Sequence, residues 1–328
     1  MRKLLQKLLL LIVPIILISP GLDRLMSEVL KRSNSYADGE YPVWNDLYNG
    51  KINSRIVIYG TSRAFRHIDP TMIGDTLHTT AYNLGVNGHS FKTEYFRHFL
   101  LLKHNRKPDI ILQTLDFTSF EKESDLYNQD QFLPYMFNNE EMRLSVSNGF
   151  SSIDYKIPMI RYYGKKEALV KICEILISPS KNKSVRIRGY KAQDLRWNDD
   201  LKAAQIVIGS YVTKPDSLIL LLFDQYLMEC IQEQIQVVFV YSPYYIGSRD
   251  FLSNSSEIIS IYKHFSQKYG IPFLDYSNDS MALNKDYYYN SGHFNKTGAE
   301  LFTAKVISDL RRSGMVDEFD PDTSELHE

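Results

Sequence analysis

Two parts of the chain alternate short β-branched or aromatic runs with amphipathic stretches, and a long middle part does not. The first run is Ile56, Val57, Ile58 and Tyr59, followed at once by Gly60, Thr61 and Ser62. Continuous apolar runs of this length fit strands buried on both faces of a parallel sheet. A second run, residues 81–84, ends in the turn Gly85-Val86-Asn87-Gly88, and residues 91–107 have helical periodicity through Phe96, Phe99, Leu100 and Leu102. Pro108 and Asp109 open a third run, 110–115, followed by Asp116. Three strands separated by helical segments predict right-handed parallel crossovers, hence an α/β fold.

From 117 to about 213 the alternation stops. A structureless loop of that length is improbable, so a helical insertion or lid is expected. Regular patterning returns with a helix opened by Pro215, a strand over 237–241, a helix over about 255–269, a short strand at 272–274 and a terminal helix that follows Asn295 or Thr297. Thr297 with Glu300 three residues later reads as a capping box, and Leu301, Phe302, Val306 and Leu310 as the inner stripe of that helix. Residues 314–328 read as a disordered acidic tail.

The N-terminus changes the picture. Arg2, Lys3 and Lys7 precede an unbroken apolar run over 8–18, with Leu4, Leu5, Leu22, Leu25 and Met26 extending it toward the roughly 20 residues a bilayer requires. No small-residue cleavage site follows. We read residues 1–30 as an uncleaved signal anchor with its basic end inside and the rest of the chain extracytoplasmic; a cleaved signal and an interfacial helix are the alternatives. Residues 31–53 read as a surface linker and 54–313 as the α/β domain.

Composition adds less. The 328 residues carry a formal net charge of −1, so no broad electrostatic field points to nucleic acid. The 23 tyrosines suit a sugar-binding crevice or an ordinary core. Cys173 and Cys230 read as buried thiols or as a disulfide, since spacing does not decide. No Cys/His cluster has metal-ligand spacing, and no phosphate-loop or dinucleotide fingerprint is present, so neither metal nor cofactor is expected.

Two stretches carry candidate chemistry. Ser62 lies just past the carboxyl end of a strand, where open α/β sheets bind ligands; taken alone it reads equally as a helix cap. Tyr289-Asn290-Ser291-Gly292-His293-Phe294-Asn295 forms the last loop before the terminal helix. In a parallel sheet, that loop converges on Ser62. A serine hydroxyl needs a base to act as a nucleophile, and imidazole has the suitable pKa. His67, Asp69 and His89 fall near the same crevice, where a structural role competes with substrate contact. Arg63 and Arg66 read either as anion-binding groups or as partners of nearby carboxylates.

With G-T-S-R around Ser62, N-L-G-V-N-G ending at Gly88, the position after the third strand near Asp116, and N-S-G-H-F-N-K-T-G around His293, the chain resembles the SGNH, or GDSL-like, hydrolase and acyltransferase superfamily. The resemblance covers roughly residues 54–116 and 237–312. It implies a flavodoxin-like α/β/α sandwich, with Ser62 as nucleophile and His293 as general base. It also implies an oxyanion hole made by the backbone N–H of Ser62, that of Gly88 and a third donor near Asp116. Substrate contacts are expected from Arg63, Asn87 and His89.

Two departures stand out. The family's Asp three residues before the histidine is here Asn290, whose amide can accept a hydrogen bond from imidazole without stabilising imidazolium by charge. The family's third-block Asn is also missing, with Asp116 or Thr114 nearby. We therefore expect Asp116, with Asp286 as the alternative, to supply the acid that orients His293. The implied activity is serine-based hydrolysis or transfer of acyl esters, an envelope glycan being the expected substrate. The competing readings are a degenerate domain that binds such a glycan without turnover, and a scaffold that holds protein partners through the insertion.

Overall fold

The computed structural model describes residues 1–122, 126–146, 149–179 and 182–316, and their side chains except at positions 2, 5, 9 and 11. In chain order its helices and strands are α1 (Arg2–Lys31), α2 (Glu40–Tyr48), β1 (Ile56–Tyr59), α3 (Ser62–His67), α4 (Pro70–Leu77), β2 (Ala81–Asn83), α5 (Phe91–His104) and β3 (Ile110–Thr114). There follow α6 (Glu140–Ser145), α7 (Ser152–Lys156), α8 (Lys166–Ile177), α9 (Asp200–Ile208), α10 (Ser217–Gln232), β4 (Gln236–Tyr241) and α11 (Ser255–Tyr269). The last are β5 (Phe273–Asp275), β6 (Tyr288–Asn290), β7 (His293–Phe294) and α12 (Lys296–Arg312). The chain divides into two compact units, one of residues 1–45 with 124–185, the other of 46–123 with 186–328.

The second unit is built on a five-stranded sheet in the order β2-β1-β3-β4-β5, and every pairing is parallel. This is the flavodoxin-like order, in which the direction of winding reverses beside β1 and opens a crevice at the carboxyl ends of the strands. Side chains alternate with period two. Ile56 and Ile58 of β1, Ile110 and Leu112 of β3, and Val238 and Val240 of β4 join Ala64, Ile73, Phe302 and Val306 of α3, α4 and α12 in one core cluster. The intervening residues face an aromatic layer supplied by α5, α10 and α11. There Phe223 meets Phe91 at 4.9 Å, Phe239 at 5.8 Å and Phe265 at 5.1 Å, and Tyr226 meets Tyr59 at 6.3 Å. Each buried aromatic side chain contributes on the order of 2 kcal/mol by area, with about 1 kcal/mol more for a well-oriented ring pair. Much of the tyrosine content is therefore core.

In the first unit the carboxyl-terminal part of α1 buries Met26, Val29 and Leu30, while its earlier turns are exposed and apolar. Residues Gln6–Lys31 make a helix long and apolar enough to cross a membrane, with mean hydropathy 2.0 in its most apolar window. Asp23 and Arg161 form a buried bidentate ion pair at 2.7 Å. Trp44 packs on Phe132 at 5.6 Å and donates to Gln131 Oε1 at 3.1 Å.

Several expectations are corrected. Residues 31–53 are not a surface linker: Tyr41, Val43, Trp44 and Leu47 are buried, and 40–48 are helical. The segment 117–213 is not one body, since 124–185 group with 1–45 while 186–213 stay with the sheet. Of the two starts read for the last helix, Asn295 and Thr297, the cap is Asn295, whose side chain accepts from Gly298 N–H at 3.0 Å. Cys173 is exposed, Cys230 is buried, and both are free thiols. The expected acidic tail lies, from residue 317 onward, outside the described residues.

Candidate active site

The loop after β1 is shaped by two glycines. Gly60 has φ +137°, and a Cβ there would meet Thr114 Oγ1 at 1.9 Å. A Cβ on Gly85 would meet Phe65 N at 2.5 Å and Ala64 Cβ at 2.8 Å, so the loop after β2 lies directly on α3. The chain can then turn tightly from β1 into α3 and raise the first helical residue above the sheet edge. That residue is Ser62. The capping position belongs to Thr61, whose side chain accepts from Arg63 N–H at 3.5 Å, which leaves the Ser62 hydroxyl for other contacts.

Ser62 Oγ lies 2.7 Å from His293 Nε2, although 231 residues separate them in sequence. The tautomer follows from the other side of the ring. Asn290 Oδ1 accepts the backbone N–H groups of Gly292 at 3.1 Å and His293 at 2.9 Å, so the atom facing that turn is the carbonyl oxygen. The same oxygen lies 2.9 Å from His293 Nδ1. Nδ1 must therefore carry the proton, and Nε2 presents its lone pair to the serine O–H. Ser62, Asn290 and His293 are all half-buried.

Asp116 and Asp286 are not placed against Nδ1. Asp116 is buried and accepts from Thr61 Oγ1 at 2.6 Å, from its neighbour Phe117 N–H at 2.6 Å and from the Tyr244 hydroxyl. Arg63 Nη1 is 4.0 Å away. Burial opposes a charge on Asp116, but the Arg63 guanidinium and the Thr61 and Tyr244 hydroxyls outweigh it, holding the carboxyl below its ordinary range. Asp116 thus braces Thr61, one residue before Ser62. Asp286 presents backbone groups only, its N–H to Asn284 Oδ1 and its carbonyl to Asn295 Nδ2.

Arg63 is corrected as a substrate contact. It is 2% exposed, stacked 3.8 Å from the Tyr244 ring centroid, and donates to the Ser242 carbonyl. His89 is also buried, with Nδ1 3.4 Å from Thr93 Oγ1. Asn87 is half-buried, and Gly88 is exposed in the turn between β2 and α5. Asp69 caps α4 through Thr71 N–H at 2.8 Å, and Thr114 Oγ1 donates to the Tyr59 carbonyl at 2.9 Å.

His67, at the end of α3, accepts from Phe294 N–H at Nε2 (3.1 Å) and meets Ser242 Oγ at Nδ1 (2.9 Å). It ties the helix that carries the serine to the strand that carries the histidine. Burial, with the charges of Arg63 and Arg66, keeps it neutral. His293 is likewise held low, to about 3, by burial and by the Arg66 and Arg63 guanidiniums, against the pull of Asp116.

Sequence reasoning missed Tyr244 and Tyr289. Tyr289 lies parallel to the His293 ring, 5.5 Å between centroids and 12° between planes, and Arg66 sits 5.5 Å from its ring centroid. The only sequence signal for Tyr244 is its place in Ser-Pro-Tyr-Tyr, just past the carboxyl end of β4.

Solved structures similar to this chain include the following. One, from Bacteroides fragilis, is described as an acylhydrolase; it is 11% identical, with 80% of this chain and 89% of that one covered and a TM-score of 0.35. Another, from Desulfitobacterium hafniense, is described as a lipolytic protein of the G-D-S-L family, 10% identical over 78% and 99%, TM-score 0.36. A third is a family two carbohydrate esterase from Clostridium thermocellum in complex with cellohexaose, 9% identical over 80% of this chain and 65% of that one, TM-score 0.35. No protein-family model matches the chain, and no curated protein matches it in sequence. By its strand order, with the serine after the first strand and the histidine before the last helix, the fold is SGNH-like.

Proposed function

We propose that this chain is a membrane-anchored serine esterase or O-acyltransferase that acts on acyl esters of an extracytoplasmic envelope glycan. The observation that carries the reading is the relay from Ser62 Oγ to His293 Nε2 to Asn290 Oδ1, with the ring proton fixed on Nδ1. In this mechanism Nε2 takes the serine proton as Oγ attacks the ester carbonyl. The backbone N–H groups of Ser62 and Gly88 hold the oxyanion, each such donor being worth about 3 kcal/mol in the transition state. The imidazolium returns its proton to the departing alkoxide, which leaves an acyl group on Ser62. Water, or a sugar hydroxyl in a transferase, then attacks the acyl-enzyme with His293 again removing the proton, and Oγ is released protonated. No step requires a metal or cofactor.

A glycan substrate is supported by the half-buried Trp197 and Tyr245, whose rings meet at 4.8 Å. Both are tied by backbone hydrogen bonds to the histidine loop, through Asn198 N–H to the Tyr289 carbonyl and Tyr245 N–H to the Ser291 carbonyl. An aromatic pair beside the reacting centre suits the apolar face of a sugar ring. The anchor is supported by the exposed apolar turns of α1.

The second reading, a domain that binds a glycan without turnover, is favoured by one feature: Asn290 offers no charge to stabilise the imidazolium. Fluorophosphonate labelling of the protein, with Ser62→Ala and His293→Ala beside it, separates the two. Labelling that vanishes in both variants supports a working nucleophile; a folded protein that takes no label leaves the binding reading.

A further inference from the structure

The membrane helix and the segment docked at its base share a feature that catalysis does not use. The exposed apolar side chains of α1 run on to Leu22 and Leu25, and Asp23 between them is buried in the ion pair with Arg161. Residues 6–22 span about 26 Å at the helical rise, close to the roughly 30 Å of a hydrocarbon core. Asp23 therefore marks the level at which the helix leaves the bilayer. The segment that grips it is the one around the short 3₁₀ turn Ile160–Tyr162: Met159 N–H and both Arg161 Nη atoms bond the Asp23 carboxylate at 2.7 Å. Ser27 Oγ, one turn further along, bonds the Tyr162 hydroxyl at 2.9 Å.

At that level the segment turns apolar side chains outward. Ile157, Ile160 and Tyr163 are exposed, Tyr163 by 89%. Helix α8, which packs against α1, buries Ala168, Ile172 and Ile175, and beside the exposed Lys166, Glu167 and Glu174 its outer side also exposes Leu169, Val170, Leu176 and Ile177, the last by 81%. Lys156 and Lys166 flank these residues, and an exposed tyrosine among lysines at the end of a membrane helix is the arrangement found at the headgroup boundary.

We propose that this face of the first unit is seated in the bilayer interface, with Ile157, Ile160, Tyr163 and the outer side of α8 inserted among the lipids around the exit of α1. The buried Asp23–Arg161 pair fixes that face to the anchor. The proposal rests on the reading of α1 as a membrane anchor, and the experiment separates the two. In the full chain with Cys173→Ser, single cysteines are placed at Ile160, Tyr163, Ile15 of α1 and Leu301 of α12, an exposed position, and labelled with bimane. Melting curves identify variants that fold as the parent does. The proteins are reconstituted in phosphatidylcholine–phosphatidylglycerol vesicles and quenched by headgroup-level nitroxide lipids or by aqueous iodide.

The expected result is several-fold stronger lipid-nitroxide quenching, and correspondingly weaker iodide quenching, at 160 and 163 than at 301. Iodide access at 160 and 163 equal to that at 301, with 15 shielded, overturns the seated face and leaves the anchor. Iodide access at 15 as well overturns both. Label self-quenching at 160 that grows with protein density, without nitroxide quenching, assigns the face to a second copy of the chain and likewise overturns the proposal.

Discussion

Replacing Asn290 by Asp tests the proposed chemistry most directly. In the structure Asn290 Oδ1 accepts three N–H groups, from Gly292, from the His293 backbone and from His293 Nδ1, at 3.1, 2.9 and 2.9 Å. A carboxylate oxygen accepts the same three, so the exchange keeps the geometry and adds a negative charge about 3 Å from the ring. An opposite charge at that distance raises a pKa by about 1–3 units, each unit being about 1.4 kcal/mol of preference for imidazolium. Imidazolium forms in the transition state, so turnover of an activated acetyl ester should rise roughly 10-fold to 1,000-fold.

The pH profile supplies a second readout. The base works as neutral imidazole, and burial with the Arg66 and Arg63 charges holds His293 down to about 3. Activity of the parent should therefore be flat through mildly acid and neutral pH, rising only as pH climbs through that low value. In Asn290→Asp the raised pKa moves this acidic limb upward. An unchanged rate with an unshifted limb, in protein that still binds a fluorophosphonate, would refute the assignment of His293 as the base held by residue 290.

Three further outcomes follow from the geometry. Gly85→Ala places a methyl 2.5 Å from Phe65 N and so displaces α3; a 1 Å misplacement of Ser62 costs about 100-fold, so initial rates should fall by that order while the melting temperature drops by less than full unfolding requires. Asp23→Asn leaves Arg161 buried without its counter-charge, at a cost of about 3–5 kcal/mol, and limited proteolysis should begin within residues 124–185, ahead of the sheet unit. Because the Asp116 carboxyl is held below its ordinary value in the fold, its stabilising contribution is present above about pH 4 and is lost as pH falls through the lowered value. Asp116→Asn should flatten the dependence of melting temperature on pH in that acid range, and an unaltered slope would place the acid sensitivity elsewhere.

The strands, the serine and the histidine were legible because each is announced locally, by apolar runs, by small residues after a strand, or by a polar loop before an amphipathic helix. What holds Nδ1 was not. Asn290 was visible as a departure, but its carboxamide oxygen is fixed by the backbone N–H groups of Gly292 and His293, and only coordinates reveal that turn. Asp116 looked like the missing acid because it follows β3, yet Thr61, Tyr244 and Arg63 claim it, and all three come from other parts of the fold. Arg63 read as an anion-binding substrate contact or a carboxylate's partner, because sequence gives no sign of the tyrosine rings that receive it. Residues 31–53 read as a linker because burial of Trp44 depends on Gln131 and Phe132, almost ninety residues away.

The register of the sheet bears on how such a chain can change over time. Strands β3 and β4 are neighbours, with Ile110 opposite Gln236 and Thr114 opposite Val240. The backbone thus departs from one strand and returns to the next one over, whatever lies between. Closing a longer excursion between two fixed points costs only about 0.6 kcal/mol per doubling of length. Material can be added, trimmed or exchanged in that excursion while Ser62 and His293, carried outside it, keep their separation. Ser62 with His293, and the residues between β3 and β4, can in this way be selected for different ends within one continuous chain.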